Sequence, residues 1–230
     1  MHRRRPSGPV YAPRMVGLPP LRATLARSER RGLADAALRV GPDAPTLCGD
    51  WDTKDLVCHL LVRESSLVGA PGIAVPALSG LTDKEMARLK KQPFEKLVER
   101  LRSSKLTFFS LPPVDAVVNT LEFFVHHEDI RRAQPGWRRR HLSEESLDTL
   151  WQGLKAQGAA LVRPAGVPVV VRRTDTGETA TLTSGGDPVE LSGPVTEIVF
   201  YLFGRDQVRD LAFAGPPARV EKVRRAEFGF

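Results

Sequence analysis

The chain has 230 residues and a formal net charge of +7, and 41% of its side chains are apolar. A chain of this length builds one large domain or two small ones. No stretch approaches the roughly 20 consecutive apolar residues that a membrane-spanning helix needs. The basic N-terminus also lacks the apolar core of a secretory signal. The sequence therefore predicts a cytoplasmic protein with no membrane partner.

The positive charge is concentrated at the N-terminus. Residues 1–14 contain four arginines and no acid, so they supply four of the seven net charges. We expect residues 1–19 to be a basic, disordered arm, and Met15 is an alternative start. The WRRRH cluster at 137–141 is expected to be a solvated turn. Since no recognition helix, zinc finger or aromatic–basic repeat is found, only charge supports a nucleic-acid partner, and we disfavour one.

Helical periodicity predicts five helices before residue 162. Their expected ranges are about 21–40, 53–68, 82–103, 114–133 and 143–161, with long loops at 69–80 and 104–113. Asp52 or Thr53 is expected to cap the second helix, and Ser143 the fifth.

The pattern changes after Pro164. The β-branched runs VPVVVRR and TATLTS are joined by TDTGE, which predicts a hairpin. DPVELSG and DLAFAG predict two further strands, and PVTEIVFYLFGR and PPARVEKVRRAEF predict two helices. We therefore expect an α+β fold, with an all-helical domain at 20–162 and a small α+β domain at 165–230.

The segment LEFFVHHEDIRRA, residues 121–133, carries the chemistry. Each helical residue turns about 100°, so Glu122, His126 and Asp129 share one face. A carboxylate and an imidazole on an apolar face are costly unless they are paired. At this spacing Glu122 and His126 can bind one metal ion. His127 points about 100° away from His126, so we expect it at the boundary of the site or outside the ligand set.

A metal site needs at least one more ligand. His2 lies in the basic arm and His141 in the basic turn, which leaves His59 in the helical segment DLVCHLLVRE. Together with Glu122 and His126 it would complete a His₂Glu set whose fourth position stays open for water or substrate. Zinc is the preferred ion, and nickel, iron and manganese are alternatives.

Two other interpretations of these residues stay open. A lone histidine on an apolar helix face is often a core residue with satisfied hydrogen bonds, which would apply to His59 and His126. Asp129 could pair with Arg63, or it could orient either histidine through the second ring nitrogen.

The two cysteines form neither a C-x-x-C pair nor a disulfide framework, which fits a reducing compartment. We expect Cys58 to be a core residue. Cys48 is expected to be a buried thiol, and the alternative is a functional role, because a thiol near a helix start can have a lowered pKa.

Two segments together resemble a known family. TLCGDWDTKDLVCHLLVRE at 46–64 and NTLEFFVHHEDIRRAQPGW at 119–137 resemble the DinB-like, mycothiol-dependent maleylpyruvate isomerase superfamily. They are most similar to an actinobacterial branch of metal-binding proteins without an assigned reaction. The positions that match the family's W-x-x-x-D-L-x-x-H-L and E-x-x-x-H-x-x-D motifs are Trp51, Asp55, Leu56, His59, Leu60, Glu122, His126 and Asp129.

The resemblance implies an up-down four-helix bundle that holds the metal, followed by a small α+β domain. It covers the chain from about residue 20, because DPVELSGPVTEIVFYLFGR at 187–205 resembles the family's second domain. It also implies a reaction in which the metal, most simply zinc, activates mycothiol for isomerisation or S-transfer. The partners would be this thiol and a small anionic or electrophilic substrate, with the chain a monomer or homodimer.

Arg205 loosely matches the family's arginine-bearing segment, so we expect it to be a catalytic anion anchor, with a helix C-terminal charge as the alternative. The alternative to an enzyme is a non-catalytic metal-binding or stress-related module that keeps the helices and ligands.

Overall fold

The computed structural model describes residues 24–65, 79–103 and 120–229. The predicted arm at 1–19, the predicted loop at 104–113 and nearly all of the predicted loop at 69–80 lie outside these residues. Among the helices in the described ranges, none combines the length and the apolar character needed to cross a bilayer.

Six α-helices precede residue 162 in the described part of the chain. They are α1 (Leu25–Val40), α2 (Thr53–Ser65), α3 (Ser79–Lys90), α4 (Phe94–Arg102), α5 (Thr120–Arg132) and α6 (Glu144–Leu161). The single helix predicted at 82–103 is wrong, because it is interrupted between α3 and α4. Pro93 lies at this break as the residue before α4. Proline lacks an N–H donor and disfavours helical backbone in the residue before it, so the two helices stay separate.

Both predicted helix caps are found. The Asp52 side chain accepts a hydrogen bond of 2.7 Å from the backbone N–H of Asp55, so Asp52 rather than Thr53 caps α2. The Ser143 hydroxyl accepts one of 3.3 Å from Ser146 and caps α6. These bonds satisfy N–H groups that have no partner within the first helical turn.

The C-terminal part is a four-stranded sheet with two helices. Its elements are β1 (Val169–Arg173), β2 (Thr179–Thr183), β3 (Val189–Gly193), α7 (Val195–Leu202), β4 (Ala212–Ala214) and α8 (Pro217–Arg225). The strand order is β2-β1-β3-β4. The predicted hairpin is confirmed, since β1 and β2 are antiparallel, whereas β1 and β3 are parallel. Helices and a mixed sheet together confirm the α+β class.

The buried apolar side chains of the described residues form two cores. One is built from α1, α2, α4 and α5, with Leu89 of α3 added. The other joins α5 and α6 to the sheet and α7. Leu150, Trp151 and Leu154 of α6 belong to the second core. Helix α6 therefore packs with the C-terminal part, although the sequence suggests that it belongs to the helical domain. The predicted domain boundaries stay a prediction.

A buried ion-pair network connects the two cores. Arg132, 3% exposed, binds Glu128 of its own helix at 2.6 Å and Glu197 of α7 at 2.7 and 2.8 Å. Arg140 binds Glu128 at 2.6 Å and Glu29 of α1 at 2.8 and 3.0 Å. The prediction of a fully solvated WRRRH turn is therefore wrong for Arg140, because two nearly buried carboxylates draw its guanidinium inward.

Candidate metal site

Helix α5 places Glu122, His126 and Asp129 along one face, as the spacing predicts. The Oε2 atom of Glu122 lies 3.4 Å from Nε2 of His126. On the other side of the ring, Nδ1 of His126 lies 2.9 Å from Oδ2 of Asp129. The His126 ring therefore has two different environments, and we call them its Nε2 face and its Nδ1 face.

His59 of α2 lies close to the His126 ring. Its ring centre lies 5.8 Å from that of His126 and 5.0 Å from that of Trp51. Two imidazoles on one tetrahedral ion have ring centres about 5 Å apart, given Zn–N bonds of about 2.1 Å. The observed separation is within about 1 Å of that value. The ring centres of His59 and His126 are thus close, but the ligand atoms of His59, Glu122 and His126 do not all lie within 4.8 Å of one another.

His59 and Glu122 have the charge states that a bound cation needs. Burial and the neighbouring His126 lower the pKa of His59 to about 4, so its imidazole is neutral at pH 7. Burial acts to raise the pKa of Glu122, but the hydrogen bond from His126 and the charge of Arg63 outweigh it and lower this pKa to about 2. A neutral imidazole and an ionised carboxylate are the forms that bind metal ions.

The Nδ1 face is held by Asp129, which is fully buried. Arg205 binds this carboxylate with two hydrogen bonds, from Nε to Oδ1 at 2.9 Å and from Nη2 to Oδ2 at 2.8 Å. Arg63 instead lies 3.9 Å from Glu122. The structure therefore favours the alternative in which Asp129 orients His126 over the one in which it pairs with Arg63. The charge partner of Asp129 is instead Arg205, from the C-terminal part.

Cys48 is the residue whose place the sequence failed to indicate. Its Sγ lies 2.9 Å from Oδ2 of Asp129 and 3.6 Å from Nδ1 of His126. The backbone N–H of Leu47 donates to the carbonyl of Asp129 at 3.3 Å, which fixes the loop before α2 against α5. Cys48 is half-buried, not a core thiol like Cys58. A position 78 residues from His126 gives no periodic signal, and the one signal that could have indicated it is its place before the Trp51 motif.

One donor set in the described residues has its ligand atoms close enough together to hold a metal ion, and it uses His126. Among the described residues, the ligand atoms of Cys48, His126 and Asp129 lie within 4.8 Å of one another. However, Nη2 of Arg205 lies 3.2 Å from Sγ of Cys48 and also binds Asp129. A divalent cation at the Nδ1 face would meet this guanidinium charge at close range.

The Nε2 face presents two of the atoms that a metal ion would need, with Nε of Arg63 lying 3.9 Å from Oε2 of Glu122. Two ligand atoms about 2.1 Å from a tetrahedral ion lie about 3.4 Å apart, which matches the separation of Glu122 Oε2 and His126 Nε2. The hydrogen bond from Nδ1 to Asp129 would keep Nε2 available as the ligand atom.

His127 was expected at the boundary of the site, and it instead lies away from both faces. Its Nδ1 is 2.7 Å from Oε2 of Glu29 on α1. Gly32 of α1 makes this approach possible, since a Cβ atom there would lie 2.5 Å from Cε1 of His127. His127 therefore joins α1 to α5.

Comparisons with known proteins gave structural matches. No protein-family model matches the chain, and no curated protein matches it either. A crystal structure of the mycothiol-dependent maleylpyruvate isomerase is 16% identical, with a TM-score of 0.51, over 83% of this chain and 90% of that one. A histidine-to-alanine mutant of the same isomerase gives 17% identity, a TM-score of 0.55 and the same coverage. The chain therefore has a fold like that of this isomerase.

Proposed function

We propose that the chain is a cytoplasmic, metal-dependent enzyme that uses a low-molecular-weight thiol for isomerisation or S-transfer. His59, Glu122 and His126 would hold the ion, and zinc is the preferred ion for two imidazoles and one carboxylate. The observation that carries the proposal is the 3.4 Å separation of Glu122 Oε2 and His126 Nε2, with Nδ1 already bonded to Asp129.

The thiol is proposed from the fold. The structures that share it are those of an isomerase described as mycothiol-dependent. A bound dication would supply acidity, because it lowers the pKa of a thiol to near neutrality or below. The described residues would hold the ligand atoms in place: Asp129 orients His126, and Trp51 packs on His59.

The proposed architecture is the DinB-like up-down four-helix bundle with a small C-terminal domain. One apolar core shared by α1, α2, α4 and α5 supports four helices around a common interior. Bundles commonly place metal ligands on facing helices, as His59 on α2 and Glu122 on α5 would be. Membership of the actinobacterial metal-binding branch belongs to the same proposal.

Metal content tests the proposal first. Protein purified with zinc should contain about one zinc per chain by mass spectrometry, and Glu122→Ala should lose it. The matched control is His127→Gln, which changes the adjacent histidine on the same helix and should keep zinc. If the wild-type chain takes up no divalent metal after zinc supplementation, the proposal is wrong.

Thiol binding separates the enzyme from the alternative. Calorimetric titration of the zinc-loaded chain with mycothiol should show binding that Glu122→Ala abolishes. Zinc binding without any affinity for mycothiol would favour a non-catalytic metal-binding module instead.

A further inference from the structure

The Nδ1 face of His126 is assembled from three distant parts of the chain. Asp129 comes from α5, Cys48 from the loop before α2, and Arg205 from the segment after α7. Oδ2 of Asp129 accepts hydrogen bonds from Cys48 at 2.9 Å and Arg205 at 2.8 Å, and it also lies 2.9 Å from Nδ1 of His126. The orientation of the His126 ring thus depends on a carboxylate that the C-terminal part neutralises.

Arg205 has little capacity left for a substrate. A guanidinium has five N–H donors. Two of those of Arg205 bind Asp129, one points to Sγ of Cys48, and one binds the carbonyl of Phe203. Among the hydrogen bonds of the described residues, this leaves a single N–H, whereas arginine typically grips a carboxylate with two. The predicted role of anion anchor is therefore poorly supported by the geometry.

We propose that Arg205 is a positioning residue that fixes His126 through Asp129, so that docking of the C-terminal part sets the geometry of the metal ligand. This inference rests on the proposed function, since it takes Nε2 of His126 as a ligand atom. Outer hydrogen bonds of this kind fix the ring orientation and the tautomer of a metal-binding histidine. Cys48 completes the arrangement by donating to the same carboxylate.

The docking of α7 on α5 has a reciprocal charge pattern. Asp129 and Arg132 lie one turn apart on α5, and they bind Arg205 and Glu197 respectively. In the first pair the acidic residue lies on α5, and in the second pair the basic residue does. This alternation favours one register of α7 and the segment after it on α5. The Arg132–Glu197 pair supports the same docking but has no hydrogen bond to His126 among the described residues. It therefore provides a control for a purely structural effect.

The test compares Arg205→Ala and Arg205→Lys with Glu197→Gln, each checked for folding by circular dichroism. Zinc dissociation constants come from chelator competition, and the ring nitrogens of His126 are observed by NMR in the metal-free protein. Arg205→Ala should weaken zinc binding by about 10- to 100-fold and shift the Nδ1 signal of His126. Arg205→Lys, which keeps the charge but not the two-pronged contact, should recover part of both effects.

Glu197→Gln should lower the thermal midpoint while leaving the zinc affinity within about threefold of the wild type and the His126 signal unmoved. The inference is overturned if Arg205→Ala leaves both readouts unchanged, or if Glu197→Gln changes them as strongly. A wild-type chain that binds no zinc would refute the proposed function alone, because the NMR comparison in the metal-free protein still decides the positioning role.

Discussion

Glu122 Oε2 and His126 Nε2 lie 3.4 Å apart, one helical turn from each other on α5. This separation suits two ligands of one tetrahedral ion. Glu122→Gln should therefore weaken zinc binding by more than about 100-fold, since even partners outside the ligand set are worth about 10- to 100-fold. Chelator competition measures the effect. Equal zinc affinity in Glu122→Gln and in the His127→Gln control would rule out Glu122 as a ligand.

Zinc binding should release protons. Burial alone lowers the pKa of His126, but hydrogen bonds with Asp129, Cys48 and Glu122 raise it well above its usual value. The metal-free ring is then protonated at pH 7, whereas Glu122 and His59, with pKa values of about 2 and 4, are already in their metal-binding forms. A metal ion must displace the proton on Nε2.

The expected result is close to one proton released per zinc at pH 7, with affinity rising about tenfold per pH unit through the neutral range. Calorimetry in two buffers of different ionisation enthalpy measures the protons. Affinity that does not change between pH 6 and pH 8 would mean that the metal-free His126 is neutral.

Local signals in the sequence predicted the elements well. Asp52 and Ser143 cap their helices, and the β-branched runs after Pro164 form the sheet. The wrong prediction of one helix at 82–103 has a local cause. The apolar spacing of α3 and α4 is typical of a single helix, and only Pro93 indicates the break. The assignment of α6 could not be made locally, since its apolar face serves equally well against helices or against a sheet.

The proximity of the site residues could likewise be predicted only in part. Glu122, His126 and Asp129 lie on one helix, so their proximity follows from a period of 3.6 residues. The approach of Cys48 and Arg205 depends on how the loop before α2 and the segment after α7 dock on α5, and no periodic pattern encodes it. The inward position of Arg140 was missed for the same reason, because its partner Glu29 lies 111 residues away.

Glu29→Gln should destabilise the protein at neutral pH. Burial acts to raise the pKa of Glu29, but hydrogen bonds from His127 and Arg140 outweigh it and lower this pKa. Removing one partner of a buried pair costs about 3–5 kcal/mol, and the partial exposure of Arg140 reduces our expectation to about 2–3 kcal/mol.

The effect should depend on pH. A lowered pKa in the folded state means that Glu29 stabilises the protein above its unfolded pKa of about 4.3, and that this stabilisation is lost as the pH falls through the folded pKa. Urea unfolding should therefore show a full difference between wild type and Glu29→Gln at pH 7 and a much smaller one at pH 3. A difference that is equal at both pH values would refute the ion-pair explanation.

Two glycine substitutions test the assignment of His127 to the contact between α1 and α5. In Gly32→Ala, the new methyl group would lie 2.5 Å from Cε1 of His127, whose ring is bonded to Glu29 and cannot easily move. Overpacking of this kind costs about 1–3 kcal/mol, against about 0.5–1 kcal/mol gained from replacing a helical glycine. We expect net destabilisation by roughly 1–2 kcal/mol in urea unfolding, with unchanged zinc affinity.

Gly80→Ala is the matched control, since a methyl group in α3 would meet no atom within 4 Å, and it should leave stability equal or slightly raised. A loss of zinc affinity in Gly32→Ala at unchanged stability would instead place His127 in the metal site.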